Sequence, residues 1–363
     1  MTITENAPAT VQLAPSARIT NGQLPAWSPW VLLAASLVVS AAVFGVVAAG
    51  GGGFNLVGAI IVGVLLYVVL IGGISSLVEG RRKATDRIVT ALVASAFGIA
   101  MVPLVSVAYT ALQNGIAGLN AEFFSSSMRN VVGEGGGALH AIMGTVLITL
   151  AAAVISIPIG LLTSIYLVEY GRGRLARGIT FLVDVMTGIP SIVAGLFIYA
   201  LFALILTPGI RMGLMGALSL AVLMIPVVVR SSEEMLRLVP NELREASYAL
   251  GVPKWLTILK VVLPTSMAGI VTGVTLAIAR VIGETAPLLV TAGFTASMNY
   301  SLTDGRMMSL PVFVYTQYMN QGLPAEAYVN RAWAAALVLI VIVMVLNLIA
   351  RLVARYFAPS KSR

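Results

Sequence analysis

Residues 56–77 read LVGAIIVGVLLYVVLIGGISSL, 22 residues without a charge. A helix needs about 20 apolar residues to cross the hydrocarbon of a bilayer. The run does not alternate apolar and polar residues as a membrane β-strand does, so it reads as a spanning helix. Seven more runs of this kind surround it. Trp30–Ala49 precedes it, and Ile88–Leu112, Ala141–Val168, Ile179–Thr207, Met212–Val229, Thr265–Thr291 and Ala332–Ala350 follow. The expected fold is an all-α polytopic membrane protein with eight transmembrane helices. Composition agrees: 59% of the 363 residues are hydrophobic and 10% are charged, against about 25% charged in a soluble domain. The mean hydropathy is +0.98. An ordinary soluble enzyme and a disordered chain are both excluded. With no cysteine, so are a disulfide framework, a thiolate metal site, an iron–sulfur cluster and a cysteine nucleophile.

The charge sits where a membrane protein keeps it. A pI near 9.9 suits a nucleic-acid binder only if the basic residues form a patch. Here they flank the spans in small groups, which points to the lipid bilayer and to no nucleic acid. With the N-terminus inside, 17 Lys and Arg fall in cytoplasmic segments and 4 outside: Arg129, Arg211, Arg306 and Arg331. The positive-inside rule then puts both termini in the cytoplasm. Residues 1–26 carry Pro8, Pro15 and Pro25, and residues 1–29 lack the basic start and apolar core of a signal peptide. They read as a flexible cytoplasmic tail, as do 358–363. Gly50–Gly53 reads as a tight outer turn. No Lys follows a Gly anywhere, so no phosphate-binding Walker A loop is present. If ATP drives this protein, a separate subunit hydrolyses it; no cofactor or metal is expected on this chain.

Spans three to seven each hold one proline: Pro103, Pro158, Pro190, Pro226 and Pro287. Such residues kink a helix, and some kinks line pathways. Two outer segments, Gln113–His140 and Ala292–Arg331, are long enough to receive an external partner. Both otherwise read as solvated loops, the Gly133–Gly137 run as flexible, and His140 as a solvated flank of span four. Gly269, Gly273 and Ala277 recur every four residues, a stripe for close helix approach either to a second permease or within the subunit.

Three charges lie inside spans, where each costs about 2.5–3.5 kcal/mol at the bilayer centre. Asp184 is near the cytoplasmic end of span five and reaches water. Arg280 and Glu284 are four residues apart, hence on one face of span seven, about 24 and 30 Å from Pro264 if the helix is continuous. Gly283 and Pro287 leave room for a break. Arg280 offers a planar fork of donors to an oxyanion, and Glu284 is placed to hold the guanidinium when no anion is present. The alternative is an ion pair that only fixes packing.

The cytoplasmic segment 230–264 is not a passive linker. From Pro240 it reads PNELREASYALGVPKWL. Leu243, Ala246, Ser247 and Leu250 recur at helical spacing. Gly251 suits a left-handed cap and Pro253 the first turn of a new helix, with Trp255, Ile258, Leu259 and Val262 on one face. Glu245-Ala246-Ser247, three residues, Gly251, nine residues, Val261, one residue, Leu263-Pro264 resembles the EAA loop of ABC-importer permeases. Ser247 replaces the second alanine of that pattern and Val261 its isoleucine. In that family the loop docks on the ATP-binding subunit, so the resemblance implies Glu245, Ala246, Ser247 and Gly251 as coupling residues.

Further stretches are similar to the PstA-type permease family of phosphate importers. They are Ala279–Leu289 (ARVIGETAPLL), Ile165–Tyr170 (IYLVEY), Gly188–Val193 (GIPSIV) and Ser309–Val312 (SLPV). The sister PstC-type family differs after Gly-Glu-Thr. The resemblance runs from about Ile88 to Tyr356, making 88–357 a six-span core of the type I ABC-importer fold and leaving 30–87 as two additional helices. It implies Arg280, Glu284 and Thr285 as translocation residues. It also implies a heterodimer with a PstC-like permease, two ATP-binding subunits, an external phosphate-binding protein and location in a prokaryotic plasma membrane. A sulfate or molybdate permease is the alternative within that machinery. A self-sufficient anion channel or carrier keeps the Arg280 chemistry but leaves the loop unexplained, and a membrane assembly or sensor protein needs neither.

Overall fold

The structure, a computed structural model, describes residues 22–50 and 53–357. The expected tails, save residues 22–29, and the middle of the Gly50–Gly53 turn lie outside these residues. The helices are α1 (Ser28–Ala49), α2 (Leu56–Val78), α3 (Arg81–Ala117), α4 (Ala121–Ser125), α5 (Leu139–Ile165), α6 (Gly173–Thr187), α7 (Ser191–Ile205), α8 (Gly213–Arg237), α9 (Asn241–Ala249), α10 (Lys254–Thr257), α11 (Leu263–Val281), α12 (Ala286–Thr291), α13 (Leu310–Met319) and α14 (Ala325–Phe357). Wider π turns extend α5 through Tyr166–Tyr170 and join α10 to α11 through Ile258–Val262.

Among the described residues seven helical segments are long and apolar enough to cross a membrane, and the α6–α7 pair brings the number to eight. The fold is all-α and polytopic, as the sequence requires. Span five is not one helix, however: α6 and α7 meet at 109° across Gly188–Pro190. Span seven is also interrupted, ending at Val281 and resuming at Ala286. The other three span prolines, Pro103, Pro158 and Pro226, lie inside unbroken helices. Pro190 and Pro287 stand instead at the start of a new helix, where the missing N–H costs nothing.

Contacts divide the chain into two units, Met1–Val107 and Ala108–Arg363, with the boundary inside α3. In the first unit α1 pairs with α2, closely enough at Gly63 that a Cβ there would lie 2.8 Å from Leu37. Ser40 Oγ donates across the pair to the Ala59 carbonyl at 2.6 Å. Just past α2, the buried Glu79 accepts from Arg87 at 2.5 and 2.9 Å, from Ser75 Oγ at 2.8 Å and from the Leu24 N–H at 3.0 Å. The Arg87 bond, then those from Ser75 and Leu24, outweigh burial and hold the carboxyl down at about 2.

The second unit is built on α5 against α8. Its core holds Ile148, Leu220, Met224, Leu288, Leu310 and Phe313, all essentially unexposed. Glycines set the closest approaches: a Cβ at Gly144 would lie 1.9 Å from the Met308 carbonyl oxygen, and one at Gly160 would lie 2.6 Å from Val228. The Gly269, Gly273, Ala277 stripe is used here, within the subunit. Gly269 faces Met235 and Gly273 faces Ser231, both on α8, and Ala277 is fully buried.

The two long segments expected as solvated loops are ordered parts of this unit. Ser309–Phe313 turns inward, and the Leu310 N–H donates to Thr145 Oγ1 at 2.7 Å. His140 is therefore not a solvated flank: it is 2% exposed, its ring edge-on to Phe313 at 5.5 Å. The Gly133–Gly137 run is held by Arg331, whose Nη1 donates to the Gly133 and Gly135 carbonyls at 2.7 and 2.9 Å.

Candidate coupling surface and translocation site

Helix α9 ends as its sequence dictates. Gly251 adopts φ +76°, where a side chain costs about 1–2 kcal/mol. Its N–H donates to the Tyr248 carbonyl at 2.9 Å, and the Val252 N–H donates to Ser247 at 3.2 Å. Those two bonds are the Schellman ending of a helix. Pro253 then opens α10. Inside the corner Ser247 Oγ meets Thr257 Oγ1 at 2.8 Å, with both residues buried. The serine that departs from the family alanine thus ties the two helices together.

The rest of α9 faces outward. Glu245 and Ala246 are exposed, as are Leu243 at 41% and Leu250 at 84%. Leu243, Ala246 and Leu250 share one helical face, so α9 presents a small apolar patch beside a carboxylate. The second helix does not bury a single face. Ile258 and Val262 are buried, while Trp255 and Leu259 are more than half exposed. The π turn at 258–262 adds to the spread, since the expected stripe assumed uniform α-helical spacing.

This hairpin is braced from below. Arg244 Nε donates to Glu169 Oε1 at 3.0 Å, Nη2 to the Leu236 carbonyl at 2.9 Å and Nη1 to the Val239 carbonyl at 2.6 Å. One guanidinium therefore ties α9 both to the π turn that extends α5 and to carbonyls at and just past the end of α8. The Glu169 and Arg244 side chains are only 5% and 13% exposed. Lys254 Nζ donates to the Glu169 carbonyl and lies 4.8 Å from the Tyr170 ring centre. Nearby on α8, Glu233 joins Arg230 at 3.0 Å and Arg237 at 2.5 Å, and Arg230 also pairs with Asp184 on α6. Asp184 is well exposed, in keeping with its expected access to water. The brace was not legible as such: Glu169 and Arg244 are 75 residues apart, and the only signal was a charged residue in each similar stretch.

Arg280 lies in the last turn of α11 and is exposed, while its neighbours Val281 and Ile282 are buried. The helix ends before Glu284, so the two charges do not share a helical face. Among the described residues neither side chain takes a hydrogen-bond or ion-pair partner; the Glu284 N–H donates to Val281 at 3.1 Å. Arg280 and Glu284 do not pair here, because Ile282 to Thr285 leave the helix. Thr285 and Glu284 are half-buried at the head of α12.

Both broken spans meet at this place. A Cβ at Gly195 of α7 would lie 2.7 Å from the Pro287 Cα, and one at Gly216 of α8 would lie 3.1 Å from Leu288. Thr291 Oγ1 is 3.5 Å from Ser219 Oγ. The arrangement is a cation at the end of α11 and a carboxylate on the irregular backbone that follows it, neither paired among the described residues, ahead of the short helix that packs on α7. Irregular backbone at membrane depth persists where it is buried in protein or lines a polar path. A guanidinium there can present a fork of donors to an oxyanion.

Residues 156–363 match a family described as binding-protein-dependent transport system inner membrane component. The chain is 46% identical over 287 residues to a phosphate transport system permease protein PstA 1 of Mycobacterium tuberculosis, covering 78% of this chain and 91% of that one. The Mycobacterium leprae PstA permease is 46% identical over 272 residues, covering 74% and 88%. That of Yersinia pestis is 37% identical over 294 residues, covering 79% and 97%. Among solved structures, the inward-facing methionine ABC transporter MetNI is 21% identical, with a TM-score of 0.49 over 66% of this chain and 100% of that one. That likeness is too low to argue from. The family match and the PstA relatives settle the matter without it: this chain belongs to the PstA permease family of binding-protein-dependent transport system inner membrane components.

Proposed function

We propose that this chain is the membrane-spanning permease subunit of an ATP-driven importer that carries inorganic phosphate across a prokaryotic plasma membrane. The observation that carries it is α9: a braced surface helix that holds Ser247 inward and turns Glu245, Ala246 and Leu250 outward. An exposed alanine between two exposed leucines gives a partner an apolar surface to seat on. Two ATP-binding subunits fit this role, one of them on α9, and ATP hydrolysis belongs to them. A PstC-like permease completes the pathway, and an external phosphate-binding protein delivers the anion. With both termini cytoplasmic, α9 and its brace face the cytoplasm and Gly293 lies toward the outside.

Closure of the ATP-binding subunits moves α9. The Arg244–Glu169 brace passes that movement to α5 and to the end of α8. Helix α8 packs against both α7 and α12, so the bent pair and the broken span shift with it. Phosphate then passes Arg280, whose guanidinium is exposed in the isolated subunit. Glu284 and Thr285 supply an acceptor and a hydroxyl that meet the anion's proton and oxygens.

The test is labelled phosphate uptake in cells lacking this gene. The native chain restores uptake, and excess sulfate does not compete. Arg280→Gln assembles with the ATP-binding subunits but restores nothing. If the native chain restores nothing, or sulfate or molybdate competes fully, the phosphate assignment fails. Uptake that persists without ATP excludes the importer in favour of a channel or carrier.

A further inference from the structure

Of the four arginines expected outside the membrane, Arg331 is used by the fold, bonded to Gly133, Gly135 and Gln317 and stacked on Tyr328. Arg211 and Arg306 are placed differently. They come from separate segments, between α7 and α8 and between α12 and α13. Two backbone bonds draw those segments to two adjacent residues: the Met212 N–H donates to Thr291 at 3.2 Å, and the Met307 N–H donates to Ala292 at 3.1 Å. Next in the chain is Gly293, at φ +71°, with no side chain. Both arginine stems lie against the space it leaves. A Cβ at Gly293 would be 3.0 Å from Arg211 Cδ and 3.4 Å from Arg306 Cδ.

Two arginine stems anchored at one point bring two positive heads into the same neighbourhood, where they repel each other unless an anion screens them. Among the described residues neither takes a carboxylate or a hydrogen-bond acceptor; Arg306 lies 5.8 Å from the Phe294 ring centre. The carbonyl end of α12 is the obvious competitor, since it attracts cations. Its carbonyls at Leu288, Thr291 and Ala292 already accept backbone N–H groups. Arg211 is half-buried and Arg306 exposed, so the pair is anchored at the stems and open at the heads.

We propose that Arg211 and Arg306 form an outer capture site for a tetrahedral oxyanion, from which it passes along α12 to Arg280. This rests on the phosphate reading above. Each guanidinium can hold two oxygens of one anion, and together they neutralise a dianion. The six residues of α12 separate this pair from the Arg280–Thr285 break by about 9 Å. Arginine donates and never accepts, so the pair cannot sense the proton that distinguishes hydrogen phosphate from sulfate. Capture is therefore unselective, and discrimination falls to Glu284, which can accept that proton.

The test treats the purified, assembled importer, without binding protein, with the arginine reagent phenylglyoxal. Modified peptides are quantified with phosphate, with sulfate, and with chloride at equal ionic strength. Phosphate and sulfate should protect Arg211 and Arg306 alike, while chloride protects neither and Arg129 reacts throughout. Equal reaction in all three salts overturns the site. Protection by phosphate alone overturns the unselective capture. A second arm uses Arg211→Gln/Arg306→Gln, with an expected fall of about tenfold in uptake rate while the binding protein still stimulates ATP hydrolysis. Loss of that stimulation would make the pair a docking point for the binding protein and overturn the anion site. Should uptake by the native chain prove specific for molybdate, protection by phosphate and sulfate still stands or falls separately from the phosphate assignment.

Discussion

Removing the brace should loosen α9 by an amount its geometry sets. Arg244 is 13% and Glu169 5% exposed at the side chain, so most of the pair is shielded from water. Arg244→Gln removes the bonds to Leu236 and Val239 as well as the ion pair, leaving a buried carboxylate without its cation. Breaking a buried pair this way costs about 3–5 kcal/mol, and the residual exposure of Arg244 puts the expected loss at about 3 kcal/mol. Glu169→Gln keeps an acceptor oxygen and loses only the charge assistance, about 1–2 kcal/mol. The double variant should cost no more than Arg244→Gln alone, because it also removes the carboxylate that the single change leaves uncompensated. Thermal unfolding of the detergent-purified importer, alongside binding-protein-stimulated ATPase activity, gives both readouts. The order of loss should be the same in each: Arg244→Gln above Glu169→Gln, and the double near the former. A double variant that loses the sum of the singles, or an Arg244→Gln importer that melts and hydrolyses ATP normally, would refute the brace.

Three more outcomes follow from local geometry. Gly251→Ala meets no atom within 4 Å but must hold φ +76°; the strain, about 1–2 kcal/mol, should lower thermal stability and co-purification of the ATP-binding subunit. Ser247→Ala strands the buried Thr257 hydroxyl, whose remaining acceptor is the Pro253 carbonyl at 3.4 Å, and should cost about 1–3 kcal/mol. Adding Thr257→Val should recover most of that loss in the same melt. The Glu79 carboxyl, held near 2 against an ordinary value of 4.5, stabilises the first unit fully above pH 4.5. That contribution, about 3 kcal/mol, fades as pH falls from 4.5 toward 2, whereas Glu79→Gln should show a flatter acid melting profile.

What could be read from the sequence was what local chemistry decides. The spans follow from apolar length, and the α9 ending follows from Gly251 and Pro253, with the capping bonds donated by Gly251 and Val252. What could not be read depended on distant packing. A proline in a span does not reveal whether the helix breaks: Pro158 and Pro226 sit in intact helices, while Pro190 and Pro287 begin new ones. The difference is the α7–α12 contact, where Gly195 admits Pro287. The same break separates Arg280 from Glu284, which sequence spacing had placed on one face. His140 is buried by Phe313, far along the chain, and nothing near His140 signals it. The small-residue stripe of α11 was legible as a close approach, but its partner, α8, was not.

The absence of cysteine makes a direct test of coupling simple. Ala246→Cys places one thiol on the exposed face of α9, to be probed with a short cross-linker in the assembled importer, with and without ATP. If this helix drives the permease, the thiol links to the ATP-binding subunit, and the yield changes when ATP binds. An Ala246→Cys chain that transports phosphate normally yet links to no ATP-binding subunit under either condition would contradict that role.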